Sequence, residues 1–220
     1  MSTKGLSSLT KKYIMGLSGL FLILFLIVHC GLNCLVFLND GGKTFSSAAH
    51  FMGSNILMRT LEIGLVIGFL VHIFDGFMLW YQNAKARPQG YAKVDASKNS
   101  PWYSRSMGIL GTLLLMFLII HAGDFWIPNR ANQFTTGVEK DLFAMMKEEF
   151  SSPIIVLLYV LSCFSLFWHL LHGFKSAFQS LGLNHSKYNG IIEKTGVAFS
   201  IIVPTLFALM PIGFYLGFVK

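Results

Sequence analysis

Hydrophobic residues occur in five long runs along the chain, at residues 13–38, 55–81, 104–126, 153–179 and 191–218. A helix needs about 20 predominantly apolar residues to cross the hydrocarbon core of a bilayer, and each run reaches that length. The runs therefore predict an all-α integral membrane protein with five transmembrane helices, numbered I to V in chain order. The first run is longer than the apolar core of a signal peptide and no small-residue cleavage site follows it, so helix I is expected to be retained.

Two local patterns refine these elements. Helix V contains Pro204 and Pro211, which are expected to kink it. In the long segment between helices III and IV, residues 138–150 predict an amphipathic helix at the membrane interface. Its apolar face consists of Leu142, Phe143, Met146 and Phe150. A cap on the bundle is the simpler interpretation of this helix, and a gate for quinone or lipid is the alternative.

The composition agrees with a membrane protein. Of the 220 residues, 54% are hydrophobic and 12% are charged, whereas soluble domains carry about 25% charged residues. No repeat or second domain is recognisable, so residues 1–220 are expected to form one transmembrane domain. Cys30, Cys34 and Cys163 lie in apolar runs, which favours small core residues over a disulfide framework or a metal pair.

The basic residues predict the orientation of the helices. The net charge is +7, but the basic residues are spread over the loops rather than clustered as on a nucleic-acid-binding surface. With the N-terminus inside, the inner segments hold eleven Lys and Arg residues and the outer segments hold six. The positive-inside rule therefore places the N-terminus in the cytoplasm.

Histidines occur in helices I to IV at depths that match in pairs. Helices I and III run outward, so His29 and His121, which come late in them, lie in the outer half of the membrane. Helices II and IV run inward, so His72, His169 and His172 lie in the inner half. At a rise of about 1.5 Å per residue, the sequence predicts an outer pair, His29 with His121, and an inner pair, His72 with His169 or His172.

The sequence alone leaves the second member of the inner pair open. His169 and His172 are about 60° apart around their helix, and depth does not separate them. His50 and His185 lie outside the predicted spans. His50 could reach a ligand near the outer face, but a solvated loop histidine is the simpler interpretation.

Paired histidines inside a membrane bundle favour b-type haem. Ionisable residues in transmembrane segments are costly and mark functional sites, and neutral imidazole is a common axial ligand of haem iron. Two histidine ligands leave no open position on the iron, so such a haem transfers electrons. Two haems stacked across the bilayer would shorten each transfer step.

Small residues at the level of each predicted haem agree with this hypothesis, because a porphyrin needs close, flat walls. Helices I and III, whose ligands are outer, have glycines at the inner level, and helix II, whose ligand is inner, has them at the outer level. These glycines are Gly16, Gly19, Gly108, Gly111, Gly64 and Gly68.

Two other uses of the histidines compete with haem. A proton relay in a transporter is the main alternative, but neither repeated halves nor broken helices are recognisable. A zinc or di-iron site would need carboxylates or further histidines at one level. Glu62 and Asp75 are the acidic residues within helices I to IV before their outer ends, and they lie at opposite depths.

With these residues in view, the chain resembles the membrane-anchor cytochrome b subunit of succinate dehydrogenase and quinol:fumarate reductase. The similarity is to the class with a single five-helix polypeptide and two haems, and it extends over the whole chain. The most specific local match is His172-Gly173 followed by Ser176-Ala177-Phe178-Gln179.

The resemblance implies a set of site residues. It implies that the histidine before the glycine, His172, pairs with His72 at the inner haem, and that His29 pairs with His121 at the outer one. It also implies that Ser104 and Arg105 lie near the haem propionates. The carboxylate that some fumarate reductases carry beside the helix IV ligand is replaced here by Leu170, and Glu62 and Asp75 are candidate substitutes.

The resemblance also implies partners and a place in the cell. A flavoprotein and an iron–sulfur subunit would dock on the cytoplasmic side of a bacterial inner membrane, against the basic loops at 85–105 and 183–194. Electrons from succinate would pass through both haems to a quinone, expected to be menaquinone, near the outer face, or in reverse from quinol to fumarate. The chain itself contains no succinate or flavin site, so the enzymatic activity would belong to the complex.

Two other functions remain open from the sequence. One is the cytochrome b anchor of another respiratory enzyme, such as a hydrogenase or a formate dehydrogenase, whose catalytic partner would dock on the outer face. The other is a haem-free transporter or a structural anchor.

Overall fold

The computed structural model describes residues 7–85 and 101–220, and the regular elements in these ranges are helices. Five helical stretches are long and apolar enough to cross a membrane: Leu9–Leu38, Ile56–Lys85, Met107–Thr136, Pro153–Ser180 and Asn189–Tyr215. The prediction of an all-α protein with five transmembrane helices is confirmed, and the chain is a multi-pass membrane protein.

The helices are numbered here in chain order. They are α1 (Ser8–Asn33), continued by the 3₁₀ turn Cys34–Leu38, α2 (Lys43–Ser54), α3 (Ile56–Lys85), α4 (Trp102–Arg105), α5 (Met107–His121), a π-helical turn (Ala122–Trp126), α6 (Ile127–Thr136), α7 (Leu142–Glu149), α8 (Pro153–Ser180) and α9 (Asn189–Tyr215). Helices I, II, IV and V of the sequence are α1, α3, α8 and α9, and helix III comprises α5, the π turn and α6. The end of the bundle at which α1 begins is called the N-terminal end, and the other the opposite end.

Four of the transmembrane helices form a closed ring. Helix α1 contacts α3, α3 contacts α5, α5 contacts α8, and α8 contacts α1. Helix α9 packs outside this ring against α8 and, to a smaller extent, against α1. The ring therefore consists of the four helices that carry the paired histidines of the sequence.

The outer surfaces of these helices are apolar. Large side chains such as Leu24, Ile63, Phe74 (69% exposed), Ile109 and Leu157 are exposed around the bundle. Exposed apolar side chains along a transmembrane helix are suited to lipid, which replaces water as their solvent. These surfaces are therefore in contact with the acyl chains of the bilayer.

The N-terminus of helix α1 is capped by Ser7. Ser7 has extended backbone angles, and its hydroxyl accepts a hydrogen bond from the backbone N–H of Thr10 at 3.1 Å. A serine in this position satisfies one of the N–H groups that the first turn of a helix leaves without a partner. The helix therefore starts five residues before the apolar run that predicted it.

Helix III is longer than predicted. It continues for ten residues after residue 126, because α6 follows the π turn directly. Most of its side chains are polar, so hydropathy placed the segment in a loop, but several of these side chains have hydrogen-bond partners in the structure. Asn129 Oδ1 accepts a hydrogen bond from the backbone N–H of Lys140 at 2.8 Å, and Asn132 donates one to the carbonyl of Val138 at 2.9 Å.

Helix α2 was not predicted from the sequence. The chain reaches it through Gly41 and Gly42, both with positive φ, and a Cβ at Gly42 would overlap the ring of Phe143. Asp40 accepts hydrogen bonds from the backbone N–H and the hydroxyl of Thr44, at 2.9 and 2.5 Å. These bonds hold the pKa of the Asp40 carboxyl below its usual value.

Helix α7 caps the opposite end of the bundle. Phe143, Met146 and the following Phe150 are buried in one apolar cluster. The other buried members of that cluster are Val36, Phe45, Val156, Tyr159, Met210 and Val219. The apolar face expected from residues 138–150 therefore packs on protein, as the simpler interpretation of that segment had it.

Helix α9 continues from Asn189 to Tyr215 through Pro204 and Pro211. Both prolines are buried. Each removes one backbone hydrogen bond from the helix interior, yet the helix is interrupted at neither. The expected kinks stay a prediction.

Part of the predicted cytoplasmic surface lies outside the described residues. This applies to Lys4 near the N-terminus and to Arg87, Lys93 and Lys98 in the basic loop after α3. The second basic loop follows α8, and there the described residues Lys187 and Lys194 lie at the N-terminal end of the bundle, as the topology requires.

A half-buried polar cluster joins α3 to helix III at the opposite end. Glu62 accepts two hydrogen bonds from Arg130, at 2.9 and 2.8 Å, one from Arg59 at 2.8 Å and one from Trp126 at 2.6 Å. Arg130 also lies 4.0 Å from Glu139. Two parallel hydrogen bonds between a guanidinium and a carboxylate are strong and geometrically specific.

Replacing Glu62 by Ala is expected to destabilise the protein by about 2–3 kcal/mol, because it leaves the Arg130 guanidinium, whose side chain is only 13% exposed, without its main partner. The measurement is the midpoint of thermal unfolding of the purified protein in detergent. Lys175→Ala is the control: it breaks an ion pair with Glu193 in which both side chains are 57% exposed, and such pairs contribute about 0–1 kcal/mol. Equal midpoints for the two variants would contradict a stabilising role for Glu62.

Candidate functional site

The outer histidine pair of the sequence meets inside the helix ring. His29 of α1 and His121, the last residue of α5, have ring centroids 5.9 Å apart, and their planes are nearly perpendicular at 87°. Aromatic rings surround them: Phe25 stacks on His29 at 5.0 Å and Phe117 stacks on His121 at 5.4 Å. Phe207 of α9 closes the site 5.6 Å from His29.

A second pair lies nearer the N-terminal end. His72 of α3 and His169 of α8 have ring centroids 6.3 Å apart, with an angle of 68° between the planes. Ser18 of α1 lies 3.1 Å from Nδ1 of His72, within hydrogen-bonding distance. Nδ1 of His169 is buried and has no hydrogen-bond partner among the described residues.

The structure brings His169 rather than His172 against His72. Nε2 of His172 lies 3.2 Å from the hydroxyl of Ser176 on the same helix. The sequence left the two histidines open, and the resemblance pointed to His172. The contact favours His169, while the assignment of His172 as a ligand stays a prediction.

The two pairs lie at different levels of the same bundle. His72 lies beside Gly19 of α1, and His29 is ten residues further along that helix. At a rise of about 1.5 Å per residue, the two levels are about 15 Å apart along the helix axis. Each level takes its two rings from two different helices, so all four helices of the ring contribute.

Two of the predicted wall glycines face the histidines near the N-terminal end. A Cβ added to Gly19 would lie 3.7 Å from Cε1 of His72, and one added to Gly111 would lie 3.8 Å from Cε1 of His169. These glycines flank the pair from α1 and α5. This placement was predicted from their depth alone.

The other four glycines do not contact a histidine. Gly16 approaches the backbone of Ala177, Gly108 packs under the ring of Trp80, and Gly68 packs under the ring of Phe21. Gly64 has open space around it and is exposed. Close packing of helices accounts for the first three, so the prediction of a wall at the outer level from Gly64 and Gly68 has no support from these contacts.

Ser104 and Arg105 belong to α4, the single turn before α5. The same turn contacts α8 next to His169, because Trp102 and Tyr103 pack on Trp168 with ring centroids 4.7 and 5.3 Å apart. The pair predicted to lie near haem propionates is therefore at the N-terminal end of the bundle, beside the helix that carries His169.

The candidate substitute carboxylates are in different surroundings. Glu62 is fully engaged by Arg59, Arg130 and Trp126. Asp75 lies three residues after His72 and is buried, and its Oδ2 has no hydrogen-bond partner within residues 7–85 and 101–220. Of the two, Asp75 is the one close to a histidine pair.

Asp124 and Tyr159 were missed at the sequence level. Tyr159 of α8 donates a hydrogen bond of 2.7 Å to Oδ2 of Asp124 in the π turn, and its hydroxyl lies 3.5 Å from Nδ1 of His121. Nearby on α7, the pKa of Glu149 is raised by burial and further by the charges of Asp124 and Glu148. The signal in the sequence was an acidic residue three positions after a membrane histidine.

His50 and His185 lie apart from both pairs. His50 is exposed on α2, not in a loop, with its Nδ1 3.1 Å from Oε2 of Glu139. Nδ1 of His185, between α8 and α9, accepts a hydrogen bond of 3.2 Å from the backbone N–H of Lys187. Both interactions are local contacts at the ends of the bundle.

The separation of the paired rings matches that of two imidazoles bound to one metal ion. Histidine nitrogens bind metal ions at about 2.0–2.1 Å, so two rings on opposite sides of one ion have centroids about 6 Å apart. The observed separations are 5.9 and 6.3 Å. Within the described ranges, no group of three or more His, Cys, Asp or Glu side chains is arranged around a common point.

Comparisons of the chain with models of protein families, with curated proteins and with solved structures give no match.

Proposed function

We propose that this chain is the membrane-anchor dihaem cytochrome b subunit of a succinate:quinone oxidoreductase. The observation that carries the proposal is the presence of two histidine pairs, one at each of two levels, inside a ring of four transmembrane helices. The resemblance of the sequence to such subunits supplies the identity of the complex.

The chemistry of the pairs favours b-type haem. A haem iron with two histidine ligands has no open position, so the group supplies one-electron transfer without substrate chemistry at the metal. The residues fit it on two further grounds: the buried Nδ1 of His169 lacks a partner among the described residues, and Gly19 and Gly111 leave flat surfaces beside the rings. His29 with His121 would hold one haem, and His72 with His169 or His172 the other.

The residues around the pairs would orient the ligands and exclude water. Ser18 and Tyr159 contact Nδ1 of His72 and of His121, respectively, which leaves Nε2 of each ring for a metal. Phe25, Phe117 and Phe207 surround the pair at the opposite end. Ser104 and Arg105 would bind propionates at the N-terminal end, where polar groups can reach the membrane surface.

The resemblance implies the partners, and the orientation gives the face on which they would dock. The excess of basic residues on the N-terminal side supports a cytoplasmic N-terminus, and the resemblance implies a bacterial inner membrane. A flavoprotein and an iron–sulfur subunit would then dock at the N-terminal end, near the pair containing His72. The membrane substrate would be a quinone, expected to be menaquinone, which exchanges electrons near the opposite end.

Purified complex is expected to contain two b-type haems per chain in a pyridine haemochrome assay. His29→Ala or His121→Ala should remove one haem, and His72→Ala should remove the other, since each variant deletes an axial ligand at one level. His50→Ala is the matched control and should keep both. Absence of haem from the unmodified chain would overturn the proposed function and favour a histidine proton relay.

The second ligand of the inner pair is decided by comparing His169→Ala with His172→Ala. Because His169 contacts His72 and His172 bonds within its own helix, loss of haem is expected in the His169 variant and retention in the His172 variant. The measurement is the haem count of each assembled complex. The reverse result would return the ligand assignment to His172, as the resemblance implies.

Gly111→Leu is expected to lose the haem at the level of His72 and to keep the other, because the larger side chain would occupy the space beside His169. Gly64→Leu is the control, since Gly64 is exposed with nothing within 4 Å of its Cβ position. Reduced-minus-oxidised spectra of the two complexes measure the effect. Two intact haems in the Gly111 variant would show that this glycine serves helix packing alone.

A further inference from the structure

Three side chains form a chain of contacts at the pair near the opposite end. Tyr159 donates a hydrogen bond of 2.7 Å to Asp124, and the same hydroxyl lies 3.5 Å from Nδ1 of His121, at the long limit for a hydrogen bond. Tyr159 is buried, with 5% of its surface exposed. The carboxylate, the phenol and the imidazole come from two helices, α8 and helix III.

The backbone is irregular where these side chains meet. The π-helical turn Ala122–Trp126 starts directly after His121 and contains Asp124. A π turn inserts an extra residue into a helix and often occurs at functional sites. Here it changes the direction in which the residues after His121 face, and Asp124 reaches the hydroxyl of Tyr159.

The hydrogens available to Tyr159 and His121 limit the role that each can take. A tyrosine hydroxyl has one hydrogen, and Tyr159 directs it to Asp124. Towards His121 its oxygen can then act only as an acceptor, and a hydrogen bond between the two requires the neutral ring that carries its hydrogen on Nδ1. Nε2 of His121 then has its lone pair free, which is the form that binds a metal.

We propose that Tyr159 and Asp124 are positioning residues that hold His121 in the Nδ1–H form and raise its basicity as an axial ligand. The inference rests on the proposed haem function and adds to it a specific tuning of one haem. A carboxylate that accepts a hydrogen bond from the ring nitrogen that does not bind the metal fixes the orientation of the histidine and raises its basicity. Here the hydroxyl of Tyr159 lies between the carboxylate and the ring and transmits that effect.

The contacts with Tyr159 and Asp124 distinguish His121 from the other histidines of the two pairs. His72 has the neutral hydroxyl of Ser18 and His29 has the amide of Asn33 at 3.4 Å, and neither contact continues to a carboxylate in the described structure. A more basic ligand favours ferric over ferrous iron. The contacts of Tyr159 and Asp124 therefore lower the reduction potential of the haem held by His121 and leave that of the other haem unchanged.

Packing alone is the competing account of the same residues. The ring of Tyr159 lies in an aromatic cluster, 5.0 Å from Phe117 and 5.1 Å from Phe150. A buried tyrosine hydroxyl needs a partner in any case, and Asp124 would satisfy it. The two accounts differ in the haem potential expected when the hydroxyl is removed and the ring is kept.

The test is Tyr159→Phe in the assembled complex, followed by redox titration of both haems in visible spectra and electron paramagnetic resonance of their low-spin ferric signals. The variant is expected to keep two haems, because the ring is retained. The midpoint potential of the haem held by His121 should rise, by up to a tenfold change in relative ferric and ferrous binding, about 59 mV for one electron. The other haem should be unchanged.

Two further variants keep the result interpretable. Asp124→Asn should raise the same potential, and it serves if Tyr159→Phe fails to assemble. Tyr215→Phe removes an exposed hydroxyl from α9 at the same end of the bundle and should shift neither haem. Two haems with unchanged potentials and signals in the Tyr159 and Asp124 variants would overturn the inference, whereas a haem-free unmodified complex would overturn the proposed function itself.

Discussion

An imidazole inside a membrane bundle has two ring nitrogens, and the apolar interior offers few partners for either. This constraint determines much of the arrangement around the histidines. His72 turns one nitrogen to Ser18 and its ring to His169, and His121 turns one nitrogen to Tyr159 and its ring to His29. Each of these contacts joins two different helices of the ring and therefore favours one rotation of each helix relative to its neighbour.

The number of spans and the pairing of histidine depths could be predicted because both depend on one-dimensional information. A bilayer requires long apolar helices, and alternate helices run in opposite directions, so position along a span gives depth. Helices α2 and α6 could not be predicted in this way. Their stability comes from contacts distant in sequence, such as Phe45 with Phe143 and Arg130 with Glu62.

The rotation of each helix about its own axis could not be predicted from the sequence either. His169 and His172 share a depth and differ by about 60° in direction, and only the packing of α8 against its neighbours determines which one faces His72. The contact between Asp124 and Tyr159 could not be predicted for the same reason. The two residues lie 35 positions apart in the sequence, and Asp124 lies in a π turn that the residue pattern does not predict. Of the six glycines at matched depths, Gly19 and Gly111 proved to face the histidines for the same reason.

The two histidine pairs depend on the same two helices, α1 and α5. Helix α1 provides a ring at one level, His29, and a bare surface at the other, Gly19, while α5 provides His121 and Gly111 in the same way. A small turn of either helix would withdraw a ring from one level and push a side chain into the other. The rotation of α1 and of α5 about their axes is therefore constrained twice, at two levels about 15 Å apart.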